Sequence, residues 1–160
     1  MEISRSEISE TLDIGLDFLF LDNFEFHSGG KQEHQSHADG TIHAQGFGRY
    51  KFTDNSFTRA HFLSKQVVPA SLLLESIFQC TAMTIYNYLE LQKGLHALIV
   101  SIKIDLRKAL EIGEVINIDS RIEKIDRGII NTLVTCHSGE KSVCNAQLKY
   151  WYPVAKEKNK

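Results

Sequence analysis

Apolar residues recur along this chain with two periods, and each change of period marks a new element. Ile3, Ile8 and Leu12 are spaced as on a short amphipathic helix, predicted over Ile3 to Ile14. Phe18-Leu19-Phe20-Leu21 opens a strand predicted to reach Phe26. Ser28 to Asp39 holds Gly29-Gly30 among polar residues and reads as a loop. Thr41 to Phe52 is strand-like, with Gly46 and Gly48 marking a bulge or a close approach of another element. Asp54-Asn55-Ser56 is a turn. A helix is predicted from Pro69 to about Gln92, apolar on almost every face. Proline suits a first helical position, where its missing N–H has no partner to lose, and Gly94 lies near the expected C-cap.

The remainder reads as β-structure. His96 to Leu106 is one strand, and Val115 to Ile122 alternates apolar and polar residues as a half-buried strand does. Asp126-Arg127-Gly128 turns the chain, Ile129 to His137 returns, Ser138 to Lys141 turns again, and Val143 to Tyr152 is the last strand. An apolar helix among about six strands cannot lie on a surface, so a sheet must wrap it. The expected class is α+β, as one domain over residues 1–160.

Composition narrows the setting. The chain is 42% hydrophobic and 24% charged, as expected of a globular protein with a real core. A net charge of −2 gives no general attraction to nucleic acid or an anionic membrane. The first residues lack an apolar signal region, and no apolar run is long enough to span a bilayer. Cys80, Cys136 and Cys144 form no paired spacing, so a reducing, cytoplasmic setting is expected. Cys80 fits a core position on the long helix.

Candidate chemistry centres on His61 and Glu75, fourteen residues apart across Pro69. Glu75 falls about two turns into the apolar helix. A carboxyl in such surroundings is costly unless paired or neutral, and a histidine with a perturbed carboxyl is what general acid–base catalysis uses. Gln79 follows one turn later on the same face and is placed to orient that carboxyl. His34, His37 and His43 have metal-like content, but they sit in a loop region without an evident carboxylate or thiolate partner; no metal and no cofactor is expected. No serine-hydrolase elbow and no basic stripe with aromatics is present.

These residues resemble the β-hydroxyacyl-acyl-carrier-protein dehydratases, whose fold is the hotdog: an antiparallel sheet wrapped around one long helix. That family reads His-Phe-Pro-Gly, four residues, Pro-Gly, four residues, Glu, three residues, Gln. Here His61-Phe62, Pro69, Glu75 and Gln79 fill those slots without a gap. Phe18-Leu19-Phe20-Leu21-Asp22, the segment Leu106 to Glu114 and the segment Gly139 to Ala146 look like three further stretches of the family. The likeness runs from about Ile8 to Tyr152, and three positions depart from it: Leu63-Ser64 replaces Pro-Gly, and Ala70 replaces Gly.

The resemblance implies dehydration of 3-hydroxyacyl thioesters, in fatty acid or polyketide-type synthesis, to trans-2-enoyl thioesters. It makes His61 the base at C2 and Glu75 the acid or water-orienting group that assists loss of water. The amide of Ala70 would hold the thioester oxygen at the helix start, with Val68, Pro69 and Gln79 lining the substrate site. It implies a partner, an acyl carrier protein with its phosphopantetheine-linked chain, and a homodimer or higher homo-oligomer with composite sites. Arg107, Lys108, Lys103 and Arg121 are candidates for meeting that acidic carrier, although scattered surface charge accounts for them slightly better. Neither nucleic acid nor membrane is an expected partner. Two alternatives stand beside this reading: a hotdog thioesterase that uses Glu75 to activate water, and a degenerate dehydratase-like subunit that binds an acyl chain without catalysis.

Overall fold

A computed structural model of the chain describes residues 2–28, 42, 44–55, 57–58, 66–91 and 97–152. Its elements in order are β1 (Glu2–Ser4), α1 (Arg5–Leu12), a 3-10 turn (Leu16–Phe18), β2 (Asn23–Ser28), β3 (Ala44–Lys51), α2 (Ala70–Leu89), β4 (Leu98–Leu106), β5 (Val115–Asp126), β6 (Ile129–Ser138) and β7 (Lys141–Trp151). The strands form one seven-stranded sheet in the order β1-β2-β3-β5-β6-β7-β4, with every neighbouring pair antiparallel. The long helix α2 packs on β2, β3, β5 and β6. This is the hotdog fold, as the sequence predicts.

The core explains the pairing of helix and sheet. Alternate residues of β5 (Ile116, Ile118, Ile122), β6 (Ile130, Val134, Cys136) and β7 (Cys144, Ala146, Leu148, Tyr150) are buried. From α2 they meet Leu72, Leu73, Ile77, Cys80, Met83 and Ile85 in one cluster. Burial drives the Cys80 thiol up, and a hydrogen bond with Cys144 together with burial drives the Cys136 thiol up, so both stay protonated core groups. Gly46 and Gly48 mark where α2 comes closest to β3. A methyl on Gly46 would strike Thr84 and the Phe24 ring, and one on Gly48 would lie 2.9 Å from Cys80 Sγ.

Several boundaries differ from the sequence expectation. The first helix starts at Arg5 rather than Ile3, because residues 2–4 pair with β2 and Glu7 Oε2 accepts from the Ser4 N–H at 2.9 Å. Pro69 is the N-cap of α2 instead of its first helical residue, and its carbonyl accepts from Leu72 and Leu73. The helix ends at Leu89, where Glu90 turns left-handed (φ 49°) and donates to Tyr86 O. Gly94 and the polar loop after Ser28 lie outside the described residues.

The largest departure is the strand expected from Phe18. Regular pairing begins only at Asn23, and residues 16–22 run as a turn and an irregular stretch. Five of their backbone groups bond to side chains rather than to a neighbouring strand. Arg5 Nη2 donates to Leu16 O (3.0 Å) and Leu19 O (2.9 Å), and Arg5 Nη1 to Leu21 O (2.9 Å) and Asp22 Oδ1 (3.3 Å). Gln79 takes the intervening groups. Among the described residues, no helix is long and apolar enough to cross a membrane.

Candidate active site

Helix α2 places Glu75 on its less buried stripe. Leu74, Glu75, Phe78 and Ala82 are half-buried, whereas Leu73, Ser76, Ile77, Gln79 and Cys80 are enclosed. The stripe recurs at helical spacing, so it is one face of the rod. Glu75 therefore stands at the border between core and solvent.

Gln79 fixes the carboxyl. Its Nε2 donates to Glu75 Oε1 at 2.9 Å and to Phe18 O at 2.9 Å, while its Oε1 accepts from the Phe20 N–H at 2.7 Å. The side chain is only 3% exposed, and both ends of its amide are engaged. A buried amide so tied has one orientation, and it hands that orientation to one oxygen of Glu75. Beside it lies an aromatic cluster. Phe20 packs on Phe18, Tyr50, Phe52 and Phe57 with ring centroids 5.3 to 6.4 Å apart. Phe18 and Phe57 keep much of their rings exposed.

The helix start is anchored from behind. Val68 N–H donates to Leu110 O at 2.8 Å, Ile112 N–H to Gln66 O at 2.9 Å, and Val67 bridges Glu111. Val68 and Pro69 are buried, while Ala70 and Ser71 are exposed. The first N–H groups of a helix lack intrahelical partners and carry the positive end of its dipole. Ala70, the first residue of the helix, carries such an amide one and a half turns before Glu75.

His61, Leu63 and Ser64 lie outside the described residues, as do His34, His37 and His43. Among the described residues, no cluster of histidine, cysteine and carboxylate side chains is suited to a metal. The four basic residues do not form one patch. Lys103 is on the edge strand β4, followed by Arg107 and Lys108, whereas Arg121 is on β5 with β6 and β7 between. Arg121 pairs with Asp119 and Arg107 with Asp105. Arg5 went unnoticed in the sequence, because its acceptors are 11 to 17 residues away and leave no local pattern.

The chain matches no protein-family model and no curated protein in sequence. Its fold is similar to several solved structures. One is a hypothetical thioesterase from Streptococcus pneumoniae with coenzyme A (14% identity, 82% of this chain and 87% of that one, TM-score 0.57). Another is a putative thioesterase related to phenylacetic acid degradation from Ralstonia eutropha (18%, 67% and 75%, TM-score 0.55). A third is the zebra fish thioesterase superfamily member 2 (15%, 68% and 74%, TM-score 0.55). At these identities the likeness establishes a shared hotdog fold.

Proposed function

We propose that the protein acts on acyl thioesters at Glu75, and that the reaction is hydrolysis. The observation that carries this reading is the Gln79–Glu75 bond: a carboxyl at the border of the core, held by a buried amide just beyond a helix start. Glu75 takes a proton from a water molecule as its oxygen adds to the thioester carbonyl carbon. The negative charge that develops on the carbonyl oxygen meets the amide of Ala70 and the positive end of α2. The tetrahedral adduct then expels the thiolate, which takes the proton from Glu75. The naming of the fold neighbours as thioesterases, one of them crystallised with coenzyme A, favours this reaction.

Dehydration of a 3-hydroxyacyl thioester is the second reading, favoured by the spacing of His61, Glu75 and Gln79. There His61 removes the C2 proton and Glu75 protonates the departing hydroxyl. The acyl group would arrive on phosphopantetheine in either case, from coenzyme A or a carrier protein.

The working form is a homodimer joined along β4. Leu98, Val100, Ile102 and Leu106 are 55%, 54%, 47% and 51% exposed. Among the described residues, β4 pairs with β7 on one edge and has no strand partner on the other. A nine-residue edge strand with exposed apolar side chains invites a second strand, and a two-fold axis lets the same strand of a second copy supply it. By the dehydratase resemblance, His61 of one copy would then face Glu75 of the other.

The test is incubation with acyl- and 3-hydroxyacyl-coenzyme A and the matching carrier-protein thioesters, reading free thiol and enoyl absorbance together. Thiol release that is lost in Glu75→Gln is the expected result. Enoyl formation without thiol release transfers the assignment to dehydration. Silence of the wild type on every thioester overturns both and leaves a non-catalytic acyl-binding subunit.

A further inference from the structure

We propose that Arg5 is a positioning residue for Glu75, acting through the 16–22 segment and Gln79. The proposal rests on the reading of Glu75 as the reacting carboxyl. Along the segment the partners alternate. Leu16 O, Leu19 O and Leu21 O accept from Arg5, while Phe18 O and the Phe20 N–H bond to Gln79. Two side chains, one from α1 and one from α2, thus hold alternate peptide groups of one irregular stretch.

Leu19, Phe20 and Leu21 are packed in the core, but the segment has few other hydrogen bonds to hold its peptide groups in direction. Its turn contributes two backbone bonds, Phe18 N–H to Gly15 O and Leu19 N–H to Leu16 O. The sheet takes over only at Asp22, whose N–H donates to Arg49 O at 2.7 Å. Between them, Arg5 fixes three carbonyls and the Asp22 carboxylate, and its guanidinium carbon stands 5.9 Å from the Tyr50 ring centroid. A planar guanidinium can meet this fan of acceptors, because its five donors leave a rigid fork in fixed directions. A lysine keeps the charge and loses the fork. With the carbonyls released, Phe18 O and Phe20 N shift, the Gln79 amide follows its two backbone partners, and Glu75 Oε1 loses its fixed donor.

The test separates positioning from mere anchoring of α1. In Arg5→Lys, kcat for the thioester reaction is expected to fall about tenfold with KM nearly unchanged, within the roughly 10²-fold loss that a 1 Å misplacement brings. In a Gln79→Ala background the same replacement should add no further loss of kcat. The side-chain amide of Gln79, followed by 15N NMR, should exchange its protons several-fold faster in Arg5→Lys. An unmoved Gln79 amide in folded Arg5→Lys overturns the proposal, as does a kcat loss that adds in full to Gln79→Ala. Should Arg5→Lys fail to fold, Arg5→Gln replaces it under the same readouts. If the wild type turns over no thioester, the functional reading fails, and the Gln79 amide still decides whether Arg5 orients it.

Discussion

Gln79 binds Glu75 on its own helix and the backbone of Phe20, 59 residues earlier, with a single buried amide. The catalytic candidate is therefore coupled to the start of the fold rather than to α2 alone. Its geometry depends on a segment that is neither helix nor strand.

Replacing the carboxyl and replacing its holder should differ in kind. Glu75→Gln removes the proton acceptor, and turnover should fall by about 10²–10⁴-fold with Tm close to wild type. Gln79→Ala should lower kcat less but lower stability more. It leaves the Phe18 carbonyl and the Phe20 N–H without their partner, at about 1–3 kcal/mol for a buried polar group. Steady-state kinetics beside calorimetry checks both. A Glu75→Gln protein with wild-type turnover would remove Glu75 from the mechanism.

The β4 edge predicts an assembly that one charge can break. Val100→Lys or Ile102→Lys places an ammonium in the apolar row, where an edge-to-edge partner would have to bury it. Light scattering should find a dimer for the wild type and a monomer for the variants, with thioester turnover lost if the site is composite. Variants that stay dimeric would place the interface elsewhere.

The periodic elements were legible because one rule governs each. Alternation along Val115 to Ile122 reflects a strand with one face on α2, and the apolar length of α2 reflects a helix enclosed by a sheet. The Phe18-Leu19-Phe20-Leu21 run misled for a physical reason. Leu19, Phe20 and Leu21 are buried as strand residues would be, but the Leu19 and Leu21 carbonyls accept from Arg5 and the Phe20 N–H donates to Gln79. Apolarity reports burial and is silent on which partner takes the backbone. The pairing of Gln79 with Glu75 was legible, since it lies one helical turn away, whereas the Arg5 clamp is a product of tertiary folding.

The glycines of β3 yield a stability test. Gly48→Ala sets a methyl 2.8 Å from Leu21 Cδ2 and 2.9 Å from Cys80 Sγ, and Gly46→Ala sets one 2.6 Å from Phe24 Cζ. Overpacking of this kind costs about 1–3 kcal/mol. Gly15→Ala meets nothing within 4 Å and serves as the control, expected within about 0.5 kcal/mol of wild type. Urea unfolding measures all three. Equal stability of Gly46→Ala and Gly15→Ala would mean that α2 sits farther from β3 than described.

Ala70 stands where the dehydratase pattern has glycine. Ala70 is the first residue of α2 and is exposed, and under the proposed mechanism its methyl stands beside the amide that a thioester would approach. Ala70→Gly should raise kcat/KM several-fold by clearing that approach. Stability should fall by at most about 1 kcal/mol, since a helix start tolerates glycine better than a helix interior. Adding Leu63→Pro and Ser64→Gly restores the remaining family residues after His61 and separates two cases. If the wild type is active and only Ala70→Gly improves it, the methyl limits access and the loop after His61 is competent as it stands. If activity appears only in the triple variant, the natural chain binds acyl groups without turning them over. No gain in either variant of an active protein would show that the three departures are neutral and that the oxyanion is held equally well beside a methyl.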